Sequence, residues 1–268
     1  MTYWQLSVWL LAVGETMPGC GAEVTARACV PALDVEFISA DEGRCRRSLM
    51  SCCCTPFEFA RPVRAFPSLK GQASFAGLWW SATTGRHVGY ESWVERDVAM
   101  MLDFDPGVAA FSSQPFWLCW PGGQRERRHA PDFFARRADG CGVVVDVRPD
   151  GLVDPRSAES FAVMEDACGR AGWVFRRTGG PGVVLAANVR WLAAYRHPRC
   201  LQPVIADAVM AAFGVPAPLF AAAEAAGDRL GVLPVLFHLM WRGVLAADLA
   251  ADLLGPRTVV RRAAEGWR

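Results

Sequence analysis

Pro131-Asp132 is followed, after thirteen residues, by Asp146-Val147-Arg148, and this stretch constrains the fold more than any other part of the chain. His129–Arg136 and Gly142–Arg148 both favour strands, and Ala138-Asp139-Gly140 between them is a turn signal, so an antiparallel hairpin is expected. Side chains alternate faces along a strand, which puts Asp146 and Arg148 on one face and Val145 and Val147 on the other. The loop decides where Asp132 falls. A two-residue Asp139-Gly140 turn sets Asp132 opposite Val147, on the wrong face. A three-residue loop with Gly140 left-handed sets Asp132 opposite Asp146, with β-carbons roughly 5 Å apart.

Two carboxylates that close repel, and one of them tends to keep its proton. A hard divalent cation removes the conflict: Mg²⁺ takes oxygen ligands, keeps several waters, and needs only one or two carboxylates plus substrate phosphate. Such an ion polarises a phosphodiester and activates water near neutral pH. Arg148, on the same strand face as Asp146, is suited to bind charge developing on phosphate oxygens. A helix is expected over Glu91–Phe104, where Val94, Val98, Met101 and Leu102 recur at helical spacing and Asp105-Pro106-Gly107 stops it. Glu91 and Glu95 are four residues apart and can project from one face of that helix.

Composition narrows the class without choosing within it. With 268 residues, 52% apolar and 21% charged, the chain suits one generous domain or a medium one plus a small one, and wholesale disorder is excluded. No run of about 18 apolar residues is present, so no membrane-spanning helix is expected. Met1–Gly14 is apolar, but the first positive charge is Arg27, which does not suit a signal peptide, and an intracellular, soluble protein is expected. The net charge of +1 argues neither for nor against a polyanionic partner. All basic residues except Lys70 are arginine, a bias that a G+C-rich genome explains. Cys20, Cys29, Cys45, Cys52, Cys53 and Cys54 crowd the N-terminal part without zinc-ligand spacing, and reduced thiols are expected.

Residues 1–60 lack sustained periodicity and are expected to be unassigned and partly disordered. Val108–Trp120 and Pro131–Pro149 read as strand-like, Ser157–Gly172 as a helix and Trp173–Arg176 as a short strand. After Pro198 the text turns rich in alanine and leucine, with helices expected over Val204–Phe213, Pro218–Ala226, Val232–Trp241 and Leu245–Leu254. The last two have the size of a helix-turn-helix, and Thr258–Arg262 that of a wing strand; a plain helical bundle is the alternative. Arg125, Arg127, Arg128, Arg136 and Arg137 bracket Asp132 and could hold DNA phosphates, or form a solvated loop face. His87, His129, His197 and His238 have no metal spacing and read as structural, though His129 is near enough to Asp132 to line the same cleft. The tryptophans read mostly as core, and Gly179-Gly180-Pro181-Gly182 as a turn.

Taken in order, Tyr90-Glu91-Ser92-Trp93-Val94-Glu95, Leu102–Pro106, Ser113-Gln114-Pro115, Ala130-Pro131-Asp132-Phe133 and Val145–Pro149 resemble the TnsA-like endonuclease subunits of heteromeric transposases, within the restriction-endonuclease-like PD-(D/E)xK superfamily. The resemblance covers roughly residues 62–197. It implies an α/β fold with a mixed central sheet flanked by helices over 61–197, and a small helical, winged-helix-like domain over 198–268. Its implied site has Glu95 as the helix carboxylate, Asp132 as the central metal ligand, Asp146 as the second strand ligand, Val147 beside them at the metal, and Gln114 in support. Arg148 falls where the superfamily has lysine, and arginine effectively cannot give up its proton to act as a base. The implied activity is Mg²⁺-dependent hydrolysis, with Mn²⁺ as a substitute, of the five-prime strand at transposon ends. The implied partners are double-stranded DNA, a DDE-type transposase that handles the three-prime strand, and an ATP-dependent transposition regulator, acting in the cytoplasm on the nucleoid. Two alternatives stand beside this: a restriction or repair nuclease of the same fold working alone, and a non-catalytic subunit that binds DNA or a partner through a decayed site.

Overall fold

The computed structural model describes residues 32–39, 41–66 and 75–263. Cys20, Cys29, Lys70 and the apolar Met1–Gly14 segment lie outside the described residues. The chain is mixed α/β, with six α-helices among the described residues, and it divides into two compact units. One holds the described residues up to Ala99 together with Gly107–Gly180; the other holds Met100–Pro106 and the described residues from Pro181 onward. The boundary expected after residue 197 therefore moves upstream to Gly180/Pro181. Among the described residues, no helix is long and apolar enough to cross a membrane.

The first unit is built on two four-stranded sheets. Strands β1 (Asp34–Ser39), β2 (Gly43–Ser48), β6 (Phe116–Gly122) and β7 (Arg125–His129) form one, in the order β2-β1-β6-β7. Strands β5 (Val108–Ser113), β8 (Phe133–Arg137), β9 (Gly142–Val147) and β10 (Val174–Thr178) form the other, in the order β10-β9-β8-β5. A hairpin of β3 (Gly77–Trp80) and β4 (His87–Tyr90) stands apart. Residues 32–60, expected to be unassigned, thus carry two sheet strands and two short 3₁₀ turns. Val108–Trp120, read as one strand-like run, is broken at Gln114-Pro115 into β5 and β6, which enter different sheets. Proline has no N–H to give to a ladder, and Gln114 turns the chain with a left-handed φ of 45°.

The second sheet is mixed: β9 pairs antiparallel with β8 and parallel with β10. The parallel return is made by helix α2 (Pro155–Ala171), a crossover of the kind parallel strands need. Asp154 caps α2, its Oδ1 accepting from Ser157 N at 2.8 Å; Pro155 stands in the first turn, and Gly172 ends the helix at φ 72°. Phe57, on the 3₁₀ turn Phe57–Phe59, is the hub of the core, with Phe37, Phe116, Phe134 and Trp173 within 4.8–5.8 Å between ring centroids. Helix α1 (Trp93–Phe104) belongs up to Ala99 to the first unit.

In the second unit, helices α3 (Val183–Ala193), α4 (Pro203–Ala212), α5 (Leu219–Ala226) and α6 (Arg229–Trp241) are joined by strands β11 (Ala217–Pro218), β12 (Leu245–Ala246) and β13 (Val259–Arg262) in the order β11-β13-β12. The helix expected over Leu245–Leu254 is not formed: two residues enter β12 and the rest is turn. Asp248 Oδ1 accepts from the N–H groups of Ala250 and Ala251, and buried Asn188 of α3 holds the Leu249 and Asp252 carbonyls and the Leu254 N–H, all at 2.8 Å for Asn188. Those side chains take the backbone groups a helix would have used. The expected pair of helices over Val232–Trp241 and Leu245–Leu254 is therefore not present; α5 and α6 are two residues apart in sequence.

Candidate active site

The loop joining β8 to β9 is the three-residue one. Arg137 N donates to Cys141 O, Gly140 N donates to Arg137 O, and Gly140 sits at φ 85°, where only glycine is unstrained. Phe133 then faces Val145 in the last pair of the ladder, and Asp132 and Asp146 are the residues just beyond that pair on the two sides of the hairpin. Both aspartates line a cleft of 520 Å³ in the first unit, together with Glu91, Glu95, His129, Val147 and Arg148.

Asp132 is held from two sides. Val147 N donates to its Oδ2 at 2.7 Å, and Gln114 N donates to its carbonyl at 3.0 Å. Burial, with the charges of Asp146 and Glu95 nearby, pushes its carboxyl well above the usual carboxylate range, and the Val147 hydrogen bond offsets only part of this. Asp146 is 2% exposed, and both its oxygens meet Nε2 of His129, at 3.0 and 2.9 Å.

Glu95 reaches the same cleft but is also the capping partner of α1. Its N–H donates to Ser92 Oγ at 3.1 Å, its Oε1 accepts from that hydroxyl at 2.9 Å, and its Oε2 accepts from Glu91 N at 2.7 Å. Burial raises its carboxyl above the ordinary value against those two hydrogen bonds. Glu91 pairs with Arg64 at 2.8 Å through Oε2, while its Oε1 is buried with no hydrogen-bond partner. Gln114 is not on the cleft wall; buried behind it, it acts on Asp132 through its backbone, and its own Oε1 is also unpartnered.

Arg148 lies at the rim, 43% exposed, with Nη2 3.4 Å from Ser157 Oγ and 3.9 Å from Asp154, a screened contact of little energetic weight. Of the five arginines expected to face DNA, Arg128 lines the cleft, its guanidinium 4.4 Å from the Trp117 ring centre. Arg127 is paired with Glu159, and Arg125 lines a different cavity at the far end of β7. Arg136 and Arg137 do not line the cleft: they sit at the loop end of the hairpin, Arg136 on Glu58 and the Thr55 carbonyl, Arg137 on Asp139. Strand pairing carries them along the hairpin away from Asp132, which proximity in sequence does not reveal. Arg64 and Arg156, on the cleft wall, were not singled out, because each stands alone in unpatterned text.

Among the described residues, no three His, Cys, Asp or Glu side chains are already drawn together as a metal-holding group. The donor chemistry nevertheless fits a hard divalent ion: two carboxylates on one cleft wall, a desolvated acid with two acidic neighbours, and an orphaned carboxylate oxygen on Glu91. Mg²⁺ bound through two carboxylates completes its shell with water and substrate. Compared with protein-family models and with curated proteins, the chain matches none.

Proposed function

We propose that this chain is a divalent-metal-dependent DNA endonuclease, a TnsA-like subunit that cuts the five-prime strand at transposon ends beside a DDE-type transposase. The observation that carries the reading is that Asp132 and Asp146, just beyond the last pair of the β8–β9 ladder, line one cleft that also receives Glu95 and is rimmed by Arg64, Arg128, Arg148 and Arg156. A restriction-endonuclease-like fold is supported by the β9-α2-β10 parallel crossover beside the antiparallel hairpin that bears the acids. A winged-helix-like reading of the second unit is supported by the chain order α4-β11-α5-α6-β12-β13 and the sheet order β11-β13-β12.

Asp132, Asp146 and the main-chain carbonyl of Val147 are the groups that would hold Mg²⁺ or Mn²⁺. When bound, the ion supplies Lewis-acid polarisation of the phosphodiester and acidifies water. Val147 N fixes the carboxylate plane of Asp132. The rim arginines bind phosphate through charge-assisted hydrogen bonds and set the duplex in register. Arg148 stays protonated throughout, so it neutralises charge and takes no proton.

Purified protein, the DDE-type transposase, its ATP-dependent regulator and transposon-end DNA, incubated with Mg²⁺, test the reading. A five-prime nick lost in Asp132→Ala is expected. Intact five-prime strands would contradict it, and equal cutting without the transposase would favour a nuclease working alone. The capping of α1 by both Glu95 oxygens favours a second reading, a retained scaffold. Transposition undiminished in Asp146→Ala would establish that one instead.

A further inference from the structure

We infer that His129 is a positioning residue that locks the carboxylate of Asp146 for metal binding, an inference that rests on the nuclease reading of the cleft. Asp146 is buried on β9, and its two oxygens stand 3.0 and 2.9 Å from the same imidazole nitrogen, Nε2. In the tautomer that carries its proton on Nε2, the ring donates across both oxygens of the carboxylate. Without this donor, a buried carboxylate that turns freely about its terminal torsion offers the ion no fixed lone pair.

The ring itself is held. His129 is the last residue of β7, where it pairs with Leu118, and the edge of the Phe161 ring from α2 meets it at 6.0 Å between centroids and 80° between planes. β7 belongs to the sheet β2-β1-β6-β7, whereas Asp146 belongs to β10-β9-β8-β5. The contact therefore crosses from one sheet to the other within the cleft, and it sets Asp146 by reference to a second framework. Outer groups that orient a ligand typically contribute about 10–100-fold in metal affinity when removed.

Mn²⁺ titration followed by the electron paramagnetic resonance of the free ion, at one fixed pH, tests this in wild type, His129→Gln and His129→Phe. Glutamine places an amide N–H where Nε2 stands. We expect His129→Phe to weaken Mn²⁺ binding by about 10–100-fold and His129→Gln to stay within about 3-fold of wild type. Unchanged affinity in His129→Phe would overturn the positioning role and leave the nuclease reading intact. Failure of wild type to bind Mn²⁺ would overturn both. Strong ¹⁴N coupling to bound Mn²⁺, with equal loss in both variants, would make His129 a direct ligand and overturn the brace. A ¹⁵N spectrum of the wild-type imidazole needs no variant: a protonated Nε2 is expected, and a bare Nε2 in the metal-free protein contradicts the inference.

Discussion

Asp132 carries its charge against three opposing influences: burial, then Asp146, then Glu95. Its folded pKa is raised, so the metal-free fold gains from Asp132 below the ordinary carboxylate value and loses that gain as pH rises through the raised one. Asp132→Asn, whose side-chain oxygen still accepts from Val147 N, is therefore expected to stabilise the metal-free protein. The advantage is absent in acid and grows by up to about 1.4 kcal/mol per pH unit across that window, read by chemical denaturation from pH 4 to 8. Arg148→Ala is expected to lower the single-turnover cutting rate by about 10²-fold, with Arg148→Lys retaining most of it. A rate unchanged in Arg148→Ala would remove Arg148 from the site. The hairpin was legible in the sequence, but its register was not fixed there: two loop lengths were open, and the three-residue one with Gly140 left-handed is the one formed. His129 on Asp146 was legible only as proximity, because residues at the end of one sheet and in the middle of another share no local pattern.

Elements differ in how much of their cause is local. α2 announces itself through Asp154, Pro155 and Gly172. β2 does not: Gly-Arg-Cys-Arg-Arg-Ser is almost wholly exposed at a sheet edge and has no apolar alternation to read. Leu245–Leu254 misled because its alanines and leucines favour helix, while the turn is imposed by Asn188, sixty-one residues upstream of its Leu249 partner. Asn188→Ala leaves two carbonyls and one N–H without that partner, and is expected to cost about 2–4 kcal/mol in denaturant unfolding of the second unit. Nearly every side chain of α6 from Val232 to Trp241 is buried or half-buried, with α3 and α4 among its neighbours, so this helix has no free polar face.

At the scale of the whole chain, a net charge of +1 gives little long-range steering, so on the proposed reading affinity for DNA would depend on the local cluster Arg64, Arg128, Arg148 and Arg156. Arg128→Ala is expected to weaken binding across sequences and reduce the slope of log K against log salt by about 1, measured by fluorescence anisotropy between low and moderate salt. The α/β class and the acid-bearing hairpin were legible; the division into two sheets was not, because it turns on the left-handed Gln114 before Pro115. What joins these scales in the proposed reading is one divalent ion that Asp132 and Asp146 would hold between them. Anomalous scattering from a crystal soaked in Mn²⁺ tests that most directly. A single strong peak within bonding distance of both carboxylates is predicted, and a saturated soak with no peak in the cleft, or a peak touching neither aspartate, contradicts the account.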